Sequence, residues 1–169
     1  AANYSGTASC TIRCSDGSLT ADDTFNIVVS KTISMSISTN LANDLDWAIS
    51  NTNTSNSPWE ASENGGGGAT GYYVTIEAHG GEPDVKIKSS ADLTKGSGTD
   101  IPIANFDYKN GTTNTANDTA NDMTTSYVIA AADLAAAASH NIYFKFFLTV
   151  PSSQAAGTYT TTTYFQGVV

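Results

Sequence analysis

Apolar and polar residues alternate with a period of two along several stretches of this chain. The longest stretch, residues 24–39, reads TFNIVVSKTISMSIST, and its odd positions from Phe25 to Ile37 are apolar except for Lys31. Such alternation predicts a β-strand with one buried face. Thirteen residues would span about 43 Å at 3.3 Å per residue, which is longer than a typical strand. We therefore predict that Lys31 divides the stretch into two halves with different packing partners.

Further strands with the same alternation are predicted at 72–78, 85–89, 126–130, 141–150 and 157–166. The strand at 157–166 is expected to lie beside that at 141–150. The Ala-rich residues 131–140 predict one short helix. A long polar loop is expected at residues 51–71, and residues 90–126 are expected to be rich in loops, with one short strand within DIPIANFDYKNG. The inward rows of these strands supply the predicted core: Ile33, Met35, Ile37, Val74, Ile76, Ile142, Phe144, Phe146, Leu148 and Tyr159.

About seven or more strands with almost no helix predict an all-β fold, an Ig-like or jelly-roll-like sandwich. We expect residues 24–169 to form this single domain and residues 1–23, which are small and polar, to form a separate N-terminal segment. No apolar run approaches the roughly 20 residues of a transmembrane helix, so no membrane insertion of the chain is predicted.

The charge of the chain limits its partners. The net charge is −9, and only 14% of the residues are charged. An acidic surface argues against binding to nucleic acid, because phosphates require Lys and Arg. A composition rich in hydroxyl and amide side chains is typical of a surface protein, so we expect secretion.

The two cysteines, Cys10 and Cys14, are four residues apart. In a flat strand their Cα atoms would be about 13 Å apart at 3.3 Å per residue, whereas a disulfide requires about 7 Å or less. Bridging them therefore requires a turn through CTIRC. A local disulfide is our first interpretation, with free thiols or pairing to other chains as the alternatives.

The chain carries no recognisable catalytic motif. It contains no G-x-S-x-G, H-E-x-x-H or Walker loop, so we predict that it is not an enzyme and needs no cofactor. Acidic loop residues offer oxygen ligands for Ca²⁺, although such residues also form turns without metal: Asp44, Asp46, Asp118 and Asp122. Four N-x-S/T sequons, about the number expected by chance, are candidate glycosylation sites: Asn3, Asn53, Asn110 and Asn117.

Two segments resemble a known family. The ending FKFFLTVPSSQAAGTYTTTTYFQGVV and the early TFNIVVSKTISMSIS are similar to the spore-coat-U/archaic chaperone–usher pilin domain. Secreted β-sandwich filament subunits of archaea and of the TasA/camelysin type have the same general look. The resemblance implies a structural subunit of an extracellular filament. Its homopolymer would form by donor-strand complementation, in which a segment of one subunit completes the sandwich of the next.

Under that mechanism the two halves of the long strand have different roles. Ile33, Met35 and Ile37 are expected in the subunit's own sheet. Phe25, Ile27 and Val29 are expected in or beside a neighbour's groove, together with residues 1–23. The alternative for the long strand is one strand that bends between two sheets of a single domain. The alternative functions are a surface-layer or adhesin module that binds glycans, and a secreted hydrolase.

Overall fold

The computed structural model describes residues 5–47, 49, 59–60, 71–113, 119–136 and 138–169. These residues form one four-residue helix, α1 (Thr39–Ala42), a 3₁₀ turn at Ile103–Asn105, and eleven strands. The strands are β1 (Gly6–Ser15), β2 (Thr20–Val29), β3 (Thr32–Ile37), β4 (Trp59–Glu60), β5 (Tyr73–His79), β6 (Asp84–Ser89), β7 (Phe106–Gly111), β8 (Asn121–Asp122), β9 (Val128–Ala131), β10 (Ser139–Leu148) and β11 (Thr163–Val168). No helix among the described residues has the length and apolarity of a membrane span.

Strands β3 to β11 form two antiparallel sheets. The larger sheet has the order β3-β5-β10-β7-β8, and β4 also pairs with β10. The smaller sheet has the order β11-β6-β9. Their inward rows meet across the core, where the ring centroids of Phe144 in β10 and Phe165 in β11 are 5.2 Å apart. The prediction of an all-β sandwich is confirmed.

The core contains most of the residues predicted for it. Buried side chains include Val74, Ile76, Ile142, Phe144, Phe146 and Leu148, as the alternation in β5 and β10 indicated. Tyr159 is only half-buried and packs against the edge of this cluster. Ile33, Met35 and Ile37 lie in the sheet but are between 37% and 45% exposed. Their placement in a closed core was therefore wrong for the single chain, because none of the described residues covers this row enough to bury it.

Two further predictions, a strand pairing and a helix, are corrected. The C-terminal strand was expected beside β10, but β11 pairs with β6 in the opposite sheet and faces β10 across the core. The Ala-rich residues between β9 and β10 do not form the expected helix in their described part. Asp133 has a left-handed φ of 51° and Leu134 is buried, so the segment turns and inserts one side chain instead. Ala propensity alone stabilises so short a helix too weakly.

The long alternating stretch divides at Ser30–Lys31. β2 pairs with β1, whereas β3 pairs with β5, so the two halves belong to different sheets. The packing of the first half against a neighbouring subunit stays a prediction. The part outside the sandwich is consequently a hairpin of residues 6–29. It ends at Val29 and not at residue 23, where the sequence placed the boundary. Residues 6–15 lie in the segment predicted to be small and polar, but Ala8, Cys10, Ile12 and Cys14 alternate there with polar residues and form strand β1.

Glycines hold the base of this hairpin against the sandwich. Gly80 has a positive φ of 89°, and a Cβ there would lie 3.4 Å from atoms of Lys31 and Ser5. A Cβ on Gly81 would lie 2.6 Å from a methyl of Val169. The turn between β5 and β6 therefore favours glycine at both positions, at Gly80 because of its positive φ and at Gly81 because of the close approach of Val169.

Two carboxylates face each other at the outer edge of the larger sheet. Asp107 in β7 is directly opposite Asp122 in β8. Burial raises the pKa of Asp107 above its usual value of 3.8, and the charge of Asp122 raises it further. Because the folded-state pKa is raised, the associated stability is present below the usual pKa and is lost as the pH rises through the folded-state value.

Replacing Asp122 by Asn is therefore expected to stabilise the protein at pH 7. The gain should be about 0.2–1 kcal/mol, the usual size of a cross-strand pair, since both groups are partly exposed to screening solvent. Urea unfolding at pH 7 and at pH 3 checks this, because the gain should vanish at pH 3, where Asp107 is protonated in both states. A variant that is less stable than wild type at pH 7 would contradict the like-charge explanation.

Candidate functional site

The hairpin of β1 and β2 has one apolar and one polar face. The register pairs Cys10 with Phe25, Ala8 with Ile27 and Gly6 with Val29. Directly paired residues share a face, so one face consists of Ala8, Cys10, Ile12, Cys14, Ala21, Phe25, Ile27 and Val29, with Asp23 as its one charged side chain. We call this surface the donor face.

The opposite face of the hairpin satisfies its own polar groups. Arg13 donates two hydrogen bonds to the carboxylate of Asp22, both 2.7 Å long. This contact lowers the pKa of Asp22 below its usual value. The hydroxyls of Thr11 and Thr24 are 2.9 Å apart. Cross-strand pairs of this kind hold the two strands in register and leave this face suited to solvent.

The donor face is uncovered in the single chain. Phe25, Ile27 and Val29 are between 41% and 48% exposed. Every residue of the two strands is exposed except Cys10, which is half-buried. An isolated two-stranded hairpin is marginally stable in water, and three strands or a packing partner are normally required. Within the part of the chain that the structure describes, this apolar face therefore has no packing partner that buries it.

The sandwich has a matching gap along β3. Ile33, Met35 and Ile37 are paired with Ala78, Ile76 and Val74 of β5, all three of which are fully buried, so the row points inward. The facing strand β11 also forms the edge of its sheet. The backbone edges of both β3 and β11 are therefore unpaired within the described residues, and the apolar space between them is open to solvent.

This gap is closed at one end and open at the other. Near the start of β3, Ile33 packs closely against Gly167. A Cβ added to Gly167 would lie 2.8 Å from the Ile33 Cδ1 atom. Beyond this contact a cavity of about 950 Å³ extends past Ile37. Its apolar lining includes Leu41, Trp47, Phe106, Val150 and Phe165, and Asp44 and Asp46 lie among its polar lining residues. We call this cavity, together with the exposed row of β3, the acceptor groove.

Strand β3 separates the hairpin from the cavity. Its first residue, Thr32, follows the hairpin base, and its last residue, Ile37, lines the cavity. Five residue steps at 3.3 Å place about 17 Å of strand between them. The donor face and the open end of the acceptor groove therefore lie at opposite ends of the strand that connects them.

The predicted disulfide is wrong. Cys10 and Cys14 are both free and lie on the same side of the continuous strand β1. No turn interrupts CTIRC, so the spacing of a flat strand keeps the two sulfurs apart. Both thiols instead belong to the donor face.

The candidate glycosylation and calcium residues that the structure describes do not come together in one site. Asn3, Asn53, Asn117 and Asp118 lie outside the described residues. Asn110 was predicted as a candidate glycosylation site, but it is buried near the end of β7 and its amide donates a hydrogen bond to the Ala130 carbonyl, so its side chain is not accessible for glycosylation. Asp44 and Asp46 line the cavity, whereas Asp122 pairs with β7. In the described part of the chain, no group of three or more His, Cys, Asp or Glu residues could hold a metal ion.

Comparison of the chain with protein-family models, with curated proteins and with solved structures found no match.

Proposed function

We propose that this protein is a structural subunit of an extracellular filament, in which each copy inserts its N-terminal hairpin into the acceptor groove of the next. The observation that carries the proposal is the presence, in one chain, of an uncovered donor face and an incomplete sandwich. The resemblance of both ends of the sequence to filament subunits supports the same mechanism. Secretion of the chain belongs to the proposal.

Insertion would satisfy both surfaces at once. The unpaired edges of β3 and β11 offer backbone hydrogen bonds to an added strand, which is the general mode of strand addition. The donor face would cover Ile33, Met35 and Ile37, while the Arg13–Asp22 face would remain in solvent. Completing the burial of Phe25, Ile27 and Val29, which are about half exposed, would contribute roughly 1 kcal/mol for each side chain.

The positions of the two surfaces favour a filament over a closed dimer. A hairpin that leaves one end of β3 and a groove that opens at the other make a heterologous, head-to-tail contact. Repeating such a contact generates an open chain of subunits when the rotation does not close into a ring. Each added subunit then presents a new donor face and a new groove.

Two neighbouring residues of β2 provide the test. Replacing Ile27 by Asp places a charge on the donor face, whereas replacing Val28 by Asp places it on the polar face, where Val28 is already 67% exposed. Both changes put Asp into the same strand, so their effects on the hairpin itself are matched. We expect wild type and Val28→Asp to form filaments in negative-stain micrographs and Ile27→Asp to remain monomeric.

Three results would contradict this proposal. These are the absence of filaments from the wild-type protein, filaments of Ile27→Asp at the wild-type yield, and an equal loss in both variants. The last would show that the hairpin's integrity matters but that its donor face has no special role.

A further inference from the structure

The outer face of the smaller sheet carries a compact group of aromatic and basic side chains. The Lys88 ammonium in β6 lies 4.8 Å from the ring centroid of Tyr127 and 5.3 Å from that of Tyr164 in β11. Tyr127 and Tyr164 are 39% and 43% exposed. The neighbouring cross-strand row on the same face contains Lys86 between Gln166 and Ile129. We call these six residues the tyrosine–lysine surface.

The charge of this surface is opposite to that of the whole chain. Two of the seven basic residues lie here on a protein with a net charge of −9. Neither Lys86 nor Lys88 forms an ion pair with any residue that the structure describes. The acid on the same outward row of β6 is Asp84, beyond Lys86, and it accepts a hydrogen bond from the Asp133 backbone amide. The two ammonium groups are therefore available to an external anion.

The three central side chains are held as a set. A cation within about 6 Å of an aromatic centroid is attracted to that ring, so Lys88 is attracted by a tyrosine on either side. Tyr127 and Tyr164 lie on opposite sides of β6, so their backbones are about two strand spacings apart, about 9.5 Å. This separation is close to the length of a disaccharide. Side chains ordered before binding lose less conformational entropy when a ligand arrives.

We propose that the tyrosine–lysine surface binds a polysaccharide that carries carboxylate groups. The tyrosine rings offer electron-rich faces to the C–H groups of sugar rings. Lys88 and Lys86 donate charge-assisted hydrogen bonds to the carboxylates, and the Gln166 amide can bond to hydroxyls. Aromatic rings that flank the cation favour a sugar chain over an acidic peptide, because the peptide could be recognised by charge alone and would make no use of the rings.

This site does not depend on the proposed polymerisation. The surface lies on the outside of the smaller sheet, whereas the acceptor groove lies on its inner side. Hairpin insertion at the edge of β11 would leave the outer face in solvent. If filaments form, the repeated sites would bind a long polysaccharide with higher avidity than a single subunit.

The full chain is tested by calorimetric titration with polygalacturonate, neutral dextran and polyglutamate. Lys88→Met and Tyr164→Ala probe the surface. Lys109→Met is the matched control, because it removes the same charge from another lysine–aromatic pair, 5.8 Å from the Phe147 ring on the larger sheet. Thermal melting of each variant checks that it is folded.

We expect polygalacturonate to bind more tightly than either other polymer. Lys88→Met and Tyr164→Ala should each weaken binding about tenfold or more, and Lys109→Met should change it less than twofold. Absence of polygalacturonate binding at low ionic strength would overturn the proposal. So would equal losses in the two lysine variants, or polyglutamate binding that matches polygalacturonate and survives Tyr164→Ala, since either result indicates attraction by charge alone.

Discussion

A protein that lacks residues 1–30 should fold into the same sandwich but form no filaments. The hairpin supplies none of the buried core residues, so its removal leaves the packing of the two sheets intact. Lys31 is retained and continues to cover the Gly80–Gly81 turn. Polymerisation should be lost completely, because the only proposed donor surface is absent.

Circular dichroism and negative-stain microscopy of the truncated protein check both halves of this expectation. A synthetic peptide of residues 5–30 should bind to the truncated protein and raise its melting temperature, because a ligand that binds only the folded state stabilises it. The same peptide carrying the Ile27→Asp change is the control and should have no effect. Filaments of normal appearance from the truncated protein would refute the donor role of the hairpin.

Replacing Phe146 by Ala should cause the largest loss of stability of any single change discussed. Phe146 is fully buried, and its ring centroid lies 5.8 Å from that of Phe144 and 5.9 Å from those of Tyr72 and Phe106. Truncation of a packed Phe costs about 3–5 kcal/mol, a large part of the 5–15 kcal/mol that stabilises a typical domain. In a domain of this size the melting temperature should fall by roughly 6–20 °C.

Phe147→Ala is the matched control for this change. Phe147 is the next residue of β10 but points to the outer face, where Lys109 lies 5.8 Å from its ring. Phe147 is only half-buried, so its removal should cost about 1–2 kcal/mol from the lost cation–π contact and partial burial. Urea unfolding of both variants provides the comparison. Equal losses would mean that β10 is not packed with Phe146 inward.

The sequence predicted those parts of the fold that local periodicity determines. Alternation in β5 and β10 identified Val74, Ile76 and Phe144 as core residues, and the lone charge of Lys31 marked where β2 gives way to β3. Sheet membership depends instead on long-range pairing. For this reason β11 was assigned next to β10, although it faces β10 from the opposite sheet.

Only the hairpin residues of the candidate site were predicted from the sequence. Phe25, Ile27 and Val29 could be recognised because they are apolar and belong to a stretch too long for one strand. The acceptor groove could not, because Ile33, Met35 and Ile37 have the same inward pattern as closed-core residues. Their exposure depends on the fact that no strand within the described residues pairs with the free edges of β3 and β11. A disulfide between Cys10 and Cys14 would require a turn, whereas the alternation of Ala8 and Ile12 with polar residues is typical of the strand that forms there.

Mixing two assembly-defective variants tests the central claim most directly. One variant lacks residues 1–30 and keeps the acceptor groove, and the other carries Met35→Asp and Ile37→Asp in the groove and keeps the hairpin. Light scattering coupled to size-exclusion chromatography should find each variant monomeric alone and a one-to-one heterodimer in the mixture. If the mixture contains only monomers while wild-type protein forms filaments, hairpin insertion into the β3–β11 groove is not the contact that joins the subunits.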